Sequence, residues 1–180
     1  MALIRNRNIN ILFDADTLAQ RNDALAQEIA QQGRENLLVI AVLKGSFIFA
    51  ADLVRSLHKA GLSPEIEFIT LSSYGADTTS SGTVRVVRDI ESDVRGRNVL
   101  LIDDILESGR TISFARNLML ERGAASAEIA VLLDKTGKRV TGITADYVGF
   151  ECPDYFVVGY GMDVAHAFRE LPFVGVVADE

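Results

Sequence analysis

The sequence predicts an α/β fold, a mainly parallel central sheet flanked by helices. Three observations predict it. Leu37–Leu43 is a continuous apolar run with the length of a strand buried on both faces, Val99–Ile102 is short and fully apolar, and Ala127–Leu133 reads as a further strand. Segments with helical spacing alternate with them. Glycines at 33, 61 and 123 stand where those helices would stop.

In order along the chain, Asp14 to Gln32 reads as a helix, with Leu18, Leu25 and Ile29 on one face. Asp14 or Asp16 is placed to cap it, and Gly33 to end it. Leu37–Leu43 is a strand, and Ser46 to Ala60 a helix closed by Gly61. Glu65–Leu71 is a second strand. Ser72 to Gly82, rich in Ser, Thr, Gly and Asp, is the most loop-like stretch. Thr83–Arg88 reads as a strand, Val99–Ile102 as a short one, Ser113–Arg122 as a helix and Ala127–Leu133 as the next strand. Phe156–Tyr160 and Val174–Val177 complete the pattern. In such sheets ligands bind beyond the carboxyl ends of the strands.

The 180 residues fit one domain spanning 1–180. The formal charge of −7 argues against wholesale nucleic-acid binding, which depends on neutralising phosphates. It leaves room for a small basic pocket around one phosphorylated ligand. Cys152 is the single cysteine, so no intramolecular disulfide forms, which suits a reducing compartment. Met1 to Asn10 lacks the apolar core of a signal peptide, and no stretch reaches the ~18 apolar residues of a membrane span. A cytoplasmic protein without membrane contact is the expectation.

The segment Val99-Leu100-Leu101-Ile102-Asp103-Asp104-Ile105-Leu106-Glu107-Ser108-Gly109-Arg110-Thr111 carries the chemistry. A buried strand runs into two acids, then a short loop, then a helix start. Gly109 lets the backbone approach a ligand closely. Ser108, Thr111 and the free N–H groups of the helix start are donors for a phosphate. The carboxylates of Asp103 and Asp104 repel phosphate but accept from vicinal ribose hydroxyls. A plain strand–loop–helix turn with an acidic cap is the bland alternative, but two acids after a buried strand need partners.

This segment resembles the 5-phosphoribosyl 1-pyrophosphate signature of the type I phosphoribosyltransferases, and other segments resemble their hypoxanthine/guanine branch over nearly the whole chain. The resemblance implies that family's fold, with a small hood formed by terminal segments. It also implies its reaction, in which the 5-phosphoribosyl group passes to N9 of a 6-oxopurine and pyrophosphate leaves, with Mg²⁺ as cofactor. Val42-Leu43-Lys44-Gly45-Ser46-Phe47 is similar to the pyrophosphate loop, with a cis peptide expected between Lys44 and Gly45. Arg169 aligns with a second pyrophosphate contact. Asp103 and Asp104 align with the ribose-binding acids, and Glu107, Ser108, Gly109, Arg110 and Thr111 with the 5′-phosphate loop.

Ser73 and Tyr74 match the Ser-Tyr pair that starts a mobile loop closing over the site. Lys135 aligns with the lysine that binds the 6-oxo group. Phe156 aligns with the aromatic that stacks on the purine, and Val157 with the backbone that reads its edge. Asp163 aligns with an acid near both base and metal, and Asp103 is a further candidate at the metal. Read without the alignment, Lys135 is a surface lysine and Phe156 a core aromatic. Glu107 is a departure: the purine branch usually has Asp there, as general base at N7. Homodimers or homotetramers are common in the family. Neither histidine, His58 or His166, matches a role. A non-catalytic regulator on the same fold, binding RNA or DNA, is the rival from another class; a xanthine-preferring transferase is the nearer one.

Overall fold

The computed structural model describes residues 2–4, 7–74 and 83–177. Six strands form the central sheet: β3 (Leu37–Leu43), β4 (Glu65–Tyr74), β5 (Thr83–Arg88), β6 (Asn98–Leu106), β7 (Ser126–Asp134) and β8 (Tyr147–Glu151). Their order is β5-β4-β3-β6-β7-β8, and only the edge strand β5 runs antiparallel to its neighbour. Three helices cover it: α1 (Ala15–Ala30), α2 (Phe47–Lys59) and α3 (Arg110–Glu121). A smaller antiparallel sheet joins β1 (Ala2–Ile4), β2 (Arg7–Phe13), β10 (Val174–Val177) and β9 (Val157–Val158), so both ends of the described chain meet there. No described helix is long and apolar enough to cross a membrane.

The apolar runs are buried on both faces because successive side chains alternate. In β3, Leu37, Val39 and Ala41 pack with α1 and α2, whereas Leu38, Ile40 and Val42 pack with α3. β6 repeats the pattern, with Leu100 and Ile102 on the first face and Val99 and Leu101 on the second. Val157, Tyr160, Met162 and Val174 join the first cluster, which ties the small sheet to the large one.

Several boundaries differ from the sequence reading. Asp14 alone caps α1, its carboxylate accepting from Thr17 N–H at 2.8 Å. That bond holds its pKa below the usual carboxylate value. β6 continues through both acids to Leu106, because β7 goes on pairing with it as far as Leu106↔Asp134. α3 begins at Arg110, three residues earlier than expected, with Gly109 at φ +81 turning the chain into it. Arg110 and Thr111 therefore lie in the helix's first turn and not in the loop. Ser73 and Tyr74 end β4, paired with Val84 and Thr83; the remainder of the proposed mobile loop, 75–82, lies outside the described residues. β1, β2 and β8 were not expected at all.

Candidate active site

The strand order places the switch point between β3 and β6. β3 crosses over through α2 to β4 on one side; β6 crosses through α3 to β7 on the other. Crevices open at such points. β3 and β6 pair only as far as Ala41↔Ile102, and beyond it they part. A cleft of about 280 Å³ occupies the gap, and Lys44, Gly45, Asp103, Asp104, Ser108 and Thr111 are among its walls.

On the β3 side the turn Lys44–Ser46 is pinned by Ser46, whose buried hydroxyl donates to Val42 O at 2.6 Å. A cis peptide is present here, but between Leu43 and Lys44, one bond earlier than expected. It falls where β3 makes its last pairing, Leu43↔Thr70. Gly45 is sandwiched between two neighbours. A Cβ on it would overlap the Asp104 carboxylate, and a Cβ on Gly161 would overlap the Gly45 carbonyl. The turn thus has Asp104 on one side and the Gly159–Gly161 segment on the other.

On the β6 side, Asp103 is buried and Asp104 partly so. Asp103 Oδ1 accepts from Asp104 N–H, and Asp104 Oδ1 from Ile105 N–H, each at 3.0 Å. Burial, and then the neighbouring charge of Asp104, push the Asp103 pKa well above the carboxylate range. Burial raises Asp104 as well, with the Arg169 charge acting in the opposite sense.

The far end of the cleft meets the segment after β7. Lys135 is only 5% exposed, so it is not a surface lysine. Its Nζ donates to Tyr155 O at 2.6 Å and stands 3.9 Å from Glu107 Oε1. Phe156, read from composition as core, is 62% exposed beside them. Val157 is buried in β9, paired with Val176. Asp163 is engaged at both oxygens: Arg169 Nη2 lies 2.7 Å from Oδ1, and His166 N–H donates to Oδ2 at 2.7 Å. Arg169 also donates to Gly161 O at 2.6 Å, which links this pair to the glycine that abuts Gly45. Lys135, Phe156, Asp163 and Arg169 border the cleft through these contacts and do not line it.

The family model for the phosphoribosyl transferase domain matches residues 8–165. Hypoxanthine-guanine phosphoribosyltransferase from Dictyostelium discoideum is 38% identical over 172 residues, covering 94% of this chain and 96% of its own. The Bacillus subtilis protein of the same name is 40% identical over 168 residues, covering 93% and 92%. The chain belongs to the hypoxanthine-guanine phosphoribosyltransferase family. The fold agrees. Hypoxanthine phosphoribosyltransferase from Trypanosoma cruzi, solved in a ternary substrates complex, superposes with a TM-score of 0.89 at 36% identity, covering 96% of each chain.

In this phosphoribosyltransferase, three side chains near the cleft escaped the sequence reading. Lys138, in the short turn Thr136–Lys138, stands 3.8 Å from Glu107 Oε1 and 2.9 Å from Asp154 Oδ1. Glu107 is therefore flanked by two ammonium groups. Arg139 reaches beneath the Glu107–Gly109 loop. Tyr160 accepts from Asn22 Nδ2 at 2.8 Å and donates to Asp52 at 2.5 Å, anchoring the segment that carries Gly161. Each is placed by bonds to residues far off in sequence, so no local pattern marks it.

Proposed function

We propose that this chain transfers the 5-phosphoribosyl group from 5-phosphoribosyl 1-pyrophosphate to N9 of hypoxanthine or guanine, giving the nucleotide and pyrophosphate. One observation carries this reading. An acid pair at the β3/β6 switch point, Asp103 buried and Asp104 partly so, lies between a glycine turn and a helix-start loop, with a buried lysine at the far end of that loop.

Each group has a part in the reaction. Asp103 and Asp104 accept from the ribose hydroxyls and fix the anomeric carbon. The loop Glu107–Gly109 and the first turn of α3, with Arg110 and Thr111, take the 5′-phosphate, and Lys44, Gly45 and Arg169 take pyrophosphate. Lys135 donates to the 6-oxo group; an ammonium cannot accept from a 6-amino group, so 6-oxopurines are selected. The exposed face of Phe156 is available to stack on the ring, and the backbone at Val157 to read its edge. As N9 forms its bond to the anomeric carbon, the bond to pyrophosphate breaks through an oxocarbenium-like state. The proton on N7 passes to the Glu107 carboxylate. Ser73 and Tyr74, at the end of β4, stand at the base of the segment assigned to closing over the cation.

Mg²⁺ fits the donor set. The cleft offers the hard carboxylate oxygens of Asp103 and Asp104, and a cation near them offsets the repulsion between the pair. Among the described residues no three His, Cys, Asp or Glu side chains form a metal cage. In this reading Mg²⁺ would be held mainly by substrate oxygens, with Asp103 in the cleft and with Asp163 only where it gives up a contact to Arg169 or to His166 N–H. When bound, it neutralises charge on the departing pyrophosphate. Assembly into a homodimer or homotetramer belongs to the same reading, and sedimentation tests it.

The deciding assay is pyrophosphate release from 5-phosphoribosyl 1-pyrophosphate with Mg²⁺ and each base in turn. Hypoxanthine and guanine should support it. Equal turnover with adenine or uracil would overturn the assignment, and a clear preference for xanthine would correct the substrate.

A further inference from the structure

The underside of the Glu107–Gly109 loop rests mainly on Arg139. Arg139 is largely buried, and its guanidinium donates to three backbone carbonyls. Nε reaches Glu107 O at 2.9 Å, Nη2 reaches Leu106 O at 3.2 Å, and Nη1 reaches Ile143 O at 2.7 Å. Nη2 also pairs with the Asp134 carboxylate at the end of β7. The next two residues continue the contact: Val140 N–H donates to Ser108 O at 3.0 Å, and Thr141 Oγ1 to the same carbonyl at 3.4 Å.

Three consecutive carbonyls, of Leu106, Glu107 and Ser108, are thus drawn toward segment 139–141. The peptides are trans, so each N–H points opposite to its carbonyl. The N–H groups of Glu107, Ser108 and Gly109 are therefore turned away from Arg139, toward the cleft that the loop lines. Among the described residues, those of Ser108 and Gly109 donate to no protein acceptor. Successive amides aimed into one concavity, with Gly109 in the left-handed region, bind anions. Gly109 also packs directly on this floor: a Cβ there would meet Thr141 Oγ1, Ile143 Cγ2 and Arg139 Cδ.

We infer that Arg139 is a positioning residue for the 5′-phosphate, holding the loop carbonyls down so that its amides face the ligand before it arrives. A loop already set in its bound shape loses less freedom on binding, so its affinity for phosphate is higher. Arg139 is not among the residues lining the cleft. The inference rests on the phosphoribosyltransferase reading and adds to it the element that presets the phosphate site.

The test compares Arg139→Gln and Arg139→Lys with wild type by calorimetry, using guanosine 5′-monophosphate and guanosine as probes. The ratio of the two dissociation constants isolates the phosphate's share of binding. In Arg139→Gln that ratio should fall at least about tenfold, the scale of one lost charge-assisted hydrogen bond. Guanosine affinity should stay essentially unchanged. Arg139→Lys keeps the charge opposite Asp134 but cannot hold three carbonyls, so its ratio should also fall; it carries the test if the Gln variant does not fold. A ratio equal to wild type, or equal weakening of both probes, overturns the inference and leaves the proposed reaction standing. A wild-type protein with no preference for the phosphorylated probe, and no transfer activity, overturns both.

Discussion

The Cα of Gly45 rests against the carboxylate of Asp104, so closely that a Cβ would overlap Asp104 Oδ2 and Cγ. The turn that follows β3 and the acid pair on β6 are therefore fitted to each other before any ligand binds. Gly45→Ala should displace the Asp104 carboxylate. Overpacking of this kind costs about 1–3 kcal/mol, so kcat/KM for the phosphoribosyl donor should fall by about 5- to 150-fold. The measurement that ties the effect to this contact is a double-mutant cycle. In an Asp104→Ala background, Gly45→Ala should cost much less, because the group it strikes is gone. Equal costs in both backgrounds would place the effect elsewhere.

Asp103 supplies a prediction about pH. Its native pKa is raised by burial and by the Asp104 charge, so the folded protein holds this proton more tightly than the unfolded chain. Stability from this group is then fully present below the unfolded carboxylate pKa, about 3.9, and is lost as pH rises through the elevated native value. Asp103→Asn keeps the shape and the acceptor for Asp104 N–H but removes the titration. In ligand-free protein its thermal midpoint should exceed that of wild type at pH 8, by about 2–4 °C for each kcal/mol relieved. The advantage should shrink toward pH 4. Activity should fall as well under the proposed reading, in which the carboxylate faces the ribose and the metal. Scanning calorimetry at several pH values checks this; an advantage that grows toward low pH would refute it.

These two residues also show where the sequence could be read and where it could not. β3 was legible to the residue, because Leu37–Leu43 is apolar on both faces and ends in a turn. β6 was cut short at Ile102, because a strand carrying Asp103 and Asp104 violates the pattern that identifies buried strands; pairing with β7 overrides it. β2, Arg7-Asn8-Ile9-Asn10-Ile11-Leu12-Phe13, mixes asparagines with apolar residues and takes its partner, β10, from the other end of the chain. The acid pair and the loop after it were visible as elements because strand, acids, glycine and helix start are contiguous. Lys135 was not visibly buried, since its acceptor is Tyr155 O, twenty residues away. Arg139 was invisible for the same reason: its value lies in the carbonyls of Leu106 and Glu107, more than thirty positions earlier.

Phe156 separates binding from stability. At 62% exposed it contributes little packing, so Phe156→Ala should shift stability only within about 0.5 kcal/mol, the usual range of surface substitutions. Stacking on a base is worth ~1–3 kcal/mol, so kcat/KM for the purine should drop by about 5- to 150-fold. Affinity for the phosphoribosyl donor alone should not change. A large loss of thermal midpoint, with the purine dependence intact, would return Phe156 to a structural role.

The departure at Glu107 gives the sharpest test of mechanism. Its carboxylate stands 3.9 Å from Lys135 Nζ and 3.8 Å from Lys138 Nζ, and Glu107 lines the cleft. If the carboxylate takes the N7 proton, Glu107→Gln keeps size and reach but removes basicity. It should lower kcat by at least about 10²-fold, the lower end of general-base contributions. Glu107→Asp restores the residue usual in the purine branch and shortens the arm by one methylene. It should cost less than Gln, because a carboxylate remains and the two lysines still face it. The alternative is that Glu107 only complements the dipole at the start of α3, a contribution of ~0.3–1 kcal/mol to stability. In that case both variants would move the thermal midpoint slightly and leave kcat near wild type. Steady-state kcat and thermal midpoints of the two variants distinguish these outcomes, and a near-wild-type kcat in Glu107→Gln would remove the general base while leaving the transfer reaction itself in place.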